Sequence, residues 1–140
     1  MTKRIEVSKI LVQNSKGKFL VVQKSEDYDW KAGKWELPGG KISENEDRFG
    51  AGKRELEAET GLEAHELREV VRVEVEEFSG EKPVVNCWIL YTESFSGEIE
   101  LSEEHQDYRW VTSEEFMKLD WHRDAGYEIP AVKNIEKYLK

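Results

Sequence analysis

Apolar and β-branched side chains dominate residues 5–13 and again residues 19–23, and the polar run Asn14-Ser15-Lys16-Gly17-Lys18 lies between them. That pattern predicts two strands joined as a hairpin. A polar and aromatic loop over residues 25–35 then leads into Glu36-Leu37-Pro38-Gly39-Gly40. Residues 47–60 predict a helix, with Ser43, Asn45 and Asp47 offering cap-like side chains and Gly61 ending it. Gly50 and Gly52 inside that helix each cost up to about 1 kcal/mol relative to Ala. With Ala51 between them they predict close packing against a sheet. Residues 67–78 alternate Val70, Arg72 and Glu74 against Val71, Val73 and Val75, the period of a half-buried strand. Residues 84–93 make a second, more apolar strand, paired with the first as a long hairpin through 79–83. A short strand at 108–111, a short helix at 113–119 capped by Ser113 and an amphipathic helix at 129–139 complete the pattern. The order gives an α+β arrangement with a mixed sheet. No internal repeat, low-complexity tract or linker breaks the chain, so residues 1–140 are expected to form one domain.

The densest chemistry lies in residues 40–62, GKISENEDRFGAGKRELEAETGL. On a helix turning about 100° per residue, Glu59 lies roughly 40° from Glu55, and Ala58 roughly 60° the other way, so the three share a face. Glu57 points to the opposite side. Like charges four apart are mildly destabilising unless a cation sits between them. Two carboxylates suit Mg²⁺ or Mn²⁺, completed by water and substrate phosphate. The Pro38-Gly39-Gly40 turn has two residues without a Cβ, so its backbone can approach an ion or a phosphate and supply a further ligand. Arg54 offers a rigid charged fork able to hold Glu46 and thereby orient the ligands.

Charge and cysteine usage narrow the partners. The formal net charge of −9 disfavours a nucleic-acid groove, and a phosphorylated ligand entering that field needs divalent cations. The one cysteine, Cys87, cannot form an internal disulfide, and its neighbours place it as a buried strand thiol. No apolar run reaches membrane-spanning length. A cytoplasmic protein without a membrane partner is expected; a homodimer stays open.

The spacing Gly40, Glu46, Arg54-Glu55-Leu56, Glu59, Gly61-Leu62 resembles the box of the Nudix hydrolase family, MutT-like, with Ala58 where the family usually carries a glutamate. Leu37-Pro38-Gly39-Gly40 matches the family's usual lead-in. The resemblance implies the family's α/β/α sandwich around a mixed central sheet. It also implies metal ligands at Glu55, Glu59 and the Gly39 and Gly40 backbone, with catalytic duties for Glu55, Arg54 and Glu46. Residues 103–111, EEHQDYRWV, resemble a later family segment whose acidic residue completes the metal site or serves as base. That role falls on Glu104, with Glu103 its rival. Lys24 and Lys41 stand where the family often places phosphate-contacting cations, and Trp30, Trp35 and Leu37 are candidates for a wall on which a nucleobase stacks. At least one of the two tryptophans is expected in the core instead.

The expected reaction is metal-assisted hydrolysis of a diphosphate linkage in a nucleoside diphosphate joined to another group. By exclusion a nucleoside triphosphate leads, giving monophosphate and pyrophosphate. A nucleotide-sugar or dinucleoside polyphosphate hydrolase, and a non-catalytic nucleotide-binding module on the same scaffold, stand as alternatives. His65, His105 and His122 lack the mutual spacing of a zinc site and are expected to be solvated or capping. No P-loop is present.

Overall fold

The computed structural model describes residues 4–27, 32–76 and 84–119. Strand β1 (Arg4–Val12) runs parallel to β6 (Val84–Ser96), with Val7 opposite Cys87. On its other edge β1 pairs antiparallel with β4 (Gly39–Lys41), and β6 pairs antiparallel with β5 (Glu63–Glu76). The result is a mixed sheet in the order β4-β1-β6-β5. A second, antiparallel sheet has the order β3-β2-β7, from Trp35–Glu36, Phe19–Lys24 and His105–Val111. Helix α1 spans Arg48–Thr60 and the short α2 Ser113–Met117. This is the α+β architecture with a mixed sheet that the sequence predicts. The helix expected at 129–139, the turn at 79–83, Trp30 and His122 lie outside the described residues.

The core explains the layers. Val7 and Leu11 of β1 join Phe19 and Val21 of β2, Cys87 and Ile89 of β6 and Val111 of β7 in one apolar cluster between the two sheets. Ile10 and Val12, on the opposite face of β1, join Leu90 of β6 and Leu56 of α1 in a second. The mixed sheet is therefore covered on one face by the smaller sheet and on the other by α1. By the same alternation Lys9 points with Val7 and Leu11 toward the smaller sheet.

Three local expectations are corrected. Strands β1 and β2 are not a hairpin, although Asn14 Oδ1 accepts from the amides of Lys16 and Lys18 at 3.0 Å each and closes the turn. Both edges of β1 are taken by β4 and β6, and both of β2 by β3 and β7, so only a Gln13–Phe19 bridge joins them. Gly52 does pack on the sheet, since a Cβ there would lie 2.9 Å from Leu90 Cδ1, but Gly50 is exposed and faces the Asp47 cap. The α2 cap is Thr112, not Ser113: its Oγ1 accepts from the Glu115 amide at 3.1 Å while Glu115 Oε1 accepts from the Thr112 amide at 3.0 Å. Among the described residues no helix is long and apolar enough to cross a membrane.

Candidate active site

Helix α1 is fixed at its start by Asp47, whose Oδ1 accepts from the Gly50 amide at 2.7 Å, and at its end by left-handed Gly61. Between these caps it presents Arg54, Glu55 and Glu59 toward the Gly39–Lys41 strand. The Arg54 guanidinium grips Glu46 with two bonds, Nε to Oε2 at 3.0 Å and Nη2 to Oε1 at 2.6 Å. It also donates through Nη1 to Glu55 Oε1 at 2.7 Å and through Nη2 to the Lys41 carbonyl at 3.2 Å. The guanidinium bonds, aided by the Ser43 amide, hold the Glu46 carboxyl down at about 2. Reciprocally, Glu46 and then Glu55 raise the Arg54 pKa.

The two glycines ahead of the helix do different work. A Cβ on Gly40 would sit 2.7 Å from the Glu55 carboxyl carbon, so this carboxylate lies directly against bare backbone. Gly39 has φ +145°, and a Cβ there would meet the Ser8 carbonyl at 2.1 Å. Its amide donates to Glu59 Oε2 at 3.0 Å.

Glu59 is only 4% exposed. Burial pushes its pKa well up; Lys9 and the Gly39 amide pull against this, while Glu36 and Glu104 add to it. Lys9 Nζ donates to Glu36 Oε1 at 3.1 Å, and His105 Nε2 lies 2.8 Å from Glu36 Oε2. Glu104 is paired with the buried Lys24, Nζ to Oε1 at 2.6 Å, beside the bulge where β2 leaves its register with β7. Among the described residues Glu59, Glu104 and His105 form a group whose ligand atoms lie within 4.8 Å of one another. The residues fit a divalent cation: a buried carboxylate is crowded by two others, and His105 Nδ1 is buried without a hydrogen-bond partner.

The sequence-predicted residues divide accordingly. Arg54, Glu46, Glu55 and Gly40 come together on one side, and Glu59, Gly39, Glu104 and Lys24 on the other, with Glu55 outside the 4.8 Å group. Lys24, expected at a phosphate, is engaged by Glu104. Trp35 and Leu37, expected at a base-stacking wall, are packed in the core, with the Arg109 guanidinium 4.7 Å over the Trp35 ring. The Lys41 side chain and Glu103 are exposed. His105, expected to be solvated or capping, is instead enclosed, because β7 begins three residues earlier than predicted and carries it inward. His65 is exposed, 2.8 Å from Ser96 Oγ. Sequence reasoning missed Lys9, Glu36 and His105; alternation back from Val111 does not point to His105, because Arg109 and Asp107 on the way are exposed and the register shifts between Asp107 and His105.

A helix-held carboxylate set against a glycine strand, on a two-sheet α+β frame, is an arrangement suited to a divalent ion. The model of the NUDIX domain matches residues 2–132, and the chain belongs to this family as a Nudix hydrolase. Nudix hydrolases generally use divalent metal ions and act on small-molecule nucleotides. A mouse (Mus musculus) bis(5′-nucleosyl)-tetraphosphatase [asymmetrical] is 34% identical over 111 residues, 77% of this chain and 73% of that protein. The CTP pyrophosphohydrolase of Escherichia coli is 34% identical over 116 residues, 83% of this chain and 82% of that one. The crystal structure of a MutT protein from Methanosarcina mazei superposes with a TM-score of 0.81 at 26% identity, covering 97% of each chain.

Proposed function

We propose that the protein hydrolyses a phosphoanhydride bond in the polyphosphate chain of a nucleoside polyphosphate, using Mg²⁺ or Mn²⁺, with a dinucleoside tetraphosphate as the first substrate. The observation that carries the reaction is the buried Glu59, anchored by the Gly39 amide and facing Glu104 across a gap of ligand dimensions. A bound divalent ion supplies charge neutralisation on the phosphate oxygens and makes water at the site more acidic. Glu59 and Glu104 would hold it, with Glu55 and the Gly39–Gly40 backbone as further candidate ligands. Arg54 holds Glu55 and Glu46 in place, so that Glu55 accepts the proton of the attacking water; Glu104 is its rival in that role.

The matching mouse protein's name supports the dinucleoside tetraphosphate. The core burial of Trp35 and Leu37 fits recognition through the phosphate chain, not through a base stacked on these side chains. A second reading, nucleoside triphosphate to monophosphate and pyrophosphate, is favoured by the match to the E. coli CTP pyrophosphohydrolase. Incubation with Mg²⁺ and either diadenosine tetraphosphate or CTP separates them. ATP plus AMP from the first, formed faster than CMP plus pyrophosphate from the second, supports the primary assignment; the reverse order favours the second. Tight nucleotide binding without product from either would leave only a binding module.

A further inference from the structure

His105 has no task in the reaction just described, yet its side chain is 0% exposed and is held from behind. Its Nε2 lies 2.8 Å from Glu36 Oε2. Lys9 donates to the other Glu36 oxygen at 3.1 Å, so both oxygens act as acceptors and Nε2 is the donor. With Nε2 as the donor, Nδ1 is left as the ring's acceptor nitrogen, and this buried atom has no hydrogen-bond partner. Buried acceptors are rarely left so.

The surroundings say what would satisfy it. A ring nitrogen of His105 belongs to the group with Glu59 and Glu104 whose ligand atoms lie within 4.8 Å of one another. All three members are fixed by a second contact: Glu59 Oε2 by the Gly39 amide at 3.0 Å, Glu104 Oε1 by Lys24 at 2.6 Å, and His105 by Glu36. Outer partners that fix a histidine tautomer and hold carboxylates in place are the usual support of a metal ligand set. Two carboxylates and an imidazole make a mixed oxygen and nitrogen donor set, which suits first-row transition ions better than Mg²⁺, a cation of all-oxygen shells.

We propose that His105 Nδ1 is a metal ligand, completing with Glu59 and Glu104 a site that prefers a transition-metal dication such as Mn²⁺, Co²⁺ or Zn²⁺ over Mg²⁺. The proposal rests on the reading of Glu59 and Glu104 as metal ligands. Pulsed electron paramagnetic resonance of the Mn²⁺-loaded protein tests it directly, because a coordinated imidazole modulates the spin echo at ¹⁴N frequencies. The wild-type protein shows this modulation, H105Q loses it, and the H65Q/H122Q double variant keeps it, with His105 as its only histidine. Calorimetry shows Mn²⁺ binding about tenfold or more tighter than Mg²⁺ in the wild type, a preference that collapses in H105Q. Absence of nitrogen modulation in the wild type, or its persistence in H105Q, overturns the assignment. Where H105Q does not fold, the double variant decides, since loss of its signal overturns the proposal as well. A protein that turns over substrate with Mg²⁺ but shows no nitrogen coupling keeps the hydrolase reading and loses this one. One with the coupling and no turnover does the opposite.

Discussion

The carboxylates around α1 occupy two opposite environments. On the outer side Glu46 and Glu55 share the Arg54 guanidinium, and Glu46 is held strongly acidic. At the inner end Glu59 is buried beside Glu36 and Glu104, with Lys9 acting on it from a distance, and its pKa is pushed up. In the first arrangement both carboxylates are bonded directly to one guanidinium. In the second, Lys9 and Lys24 are bonded to Glu36 and Glu104, and the buried Glu59 is held by the Gly39 amide, a desolvated carboxylate of the kind that marks functional sites more often than stable frames.

The largest effect that tests this contrast is on turnover. Glu59→Gln lowers kcat/KM by about 10³-fold, or about 4 kcal/mol of transition-state stabilisation. Glu46→Gln costs only about tenfold, the scale of a group that orients others. Steady-state kinetics with equal losses in the two variants would erase the distinction. Next in size is the pair of glycines. Gly39→Ala drives a Cβ into the Ser8 carbonyl at positive φ and costs about 3 kcal/mol, read as a fall in Tm of about 10 °C. Gly40→Ala meets the movable end of Glu55, so its Tm stays within about 2 °C while kcat/KM falls. A Tm loss for Gly40→Ala as large as that of Gly39→Ala would contradict the geometry.

Smaller effects appear in pH titrations of metal-free protein. The raised pKa of Glu59 means that its contribution to stability is present below the ordinary carboxylate range and is lost as pH rises through the raised value. Glu59→Gln, measured by calorimetry in chelator, is therefore more stable than wild type at pH 8. The gap closes toward pH 4, and a gap that widened on acidification would refute this account. The depressed Glu46 works with the opposite sign. Its contribution is present above the ordinary range and fades as pH falls to about 2. Glu46→Gln thus flattens the acid side of the stability curve, the smallest of the four effects.

What the sequence disclosed was what lies close along the chain. Glu55 and Glu59, the Asp47 and Gly61 caps and the Arg54–Glu46 grip span a few helical turns and follow from spacing. The Thr112–Glu115 capping box was equally local, but the adjacent Ser113 took its place in the reading. Long-range pairing was hidden: β1 meets β6 about eighty positions away, which is why its hairpin with β2 did not form. Lys9, Glu36 and His105 come from three strands and meet only after both sheets are built. Trp35 and Leu37 flank Glu36 at a strand of only two residues, Trp35–Glu36, too short to show which face each would take.

The Lys9–Glu36 contact joins β1 of the larger sheet to β3 of the smaller one at the end where Glu59 and His105 gather. The candidate site is thus also a seam, and whatever fills it works as a rivet between the two halves. Amide protons of β1 and β3 should slow their exchange with solvent together when the dication is added, and quicken together when it is withdrawn.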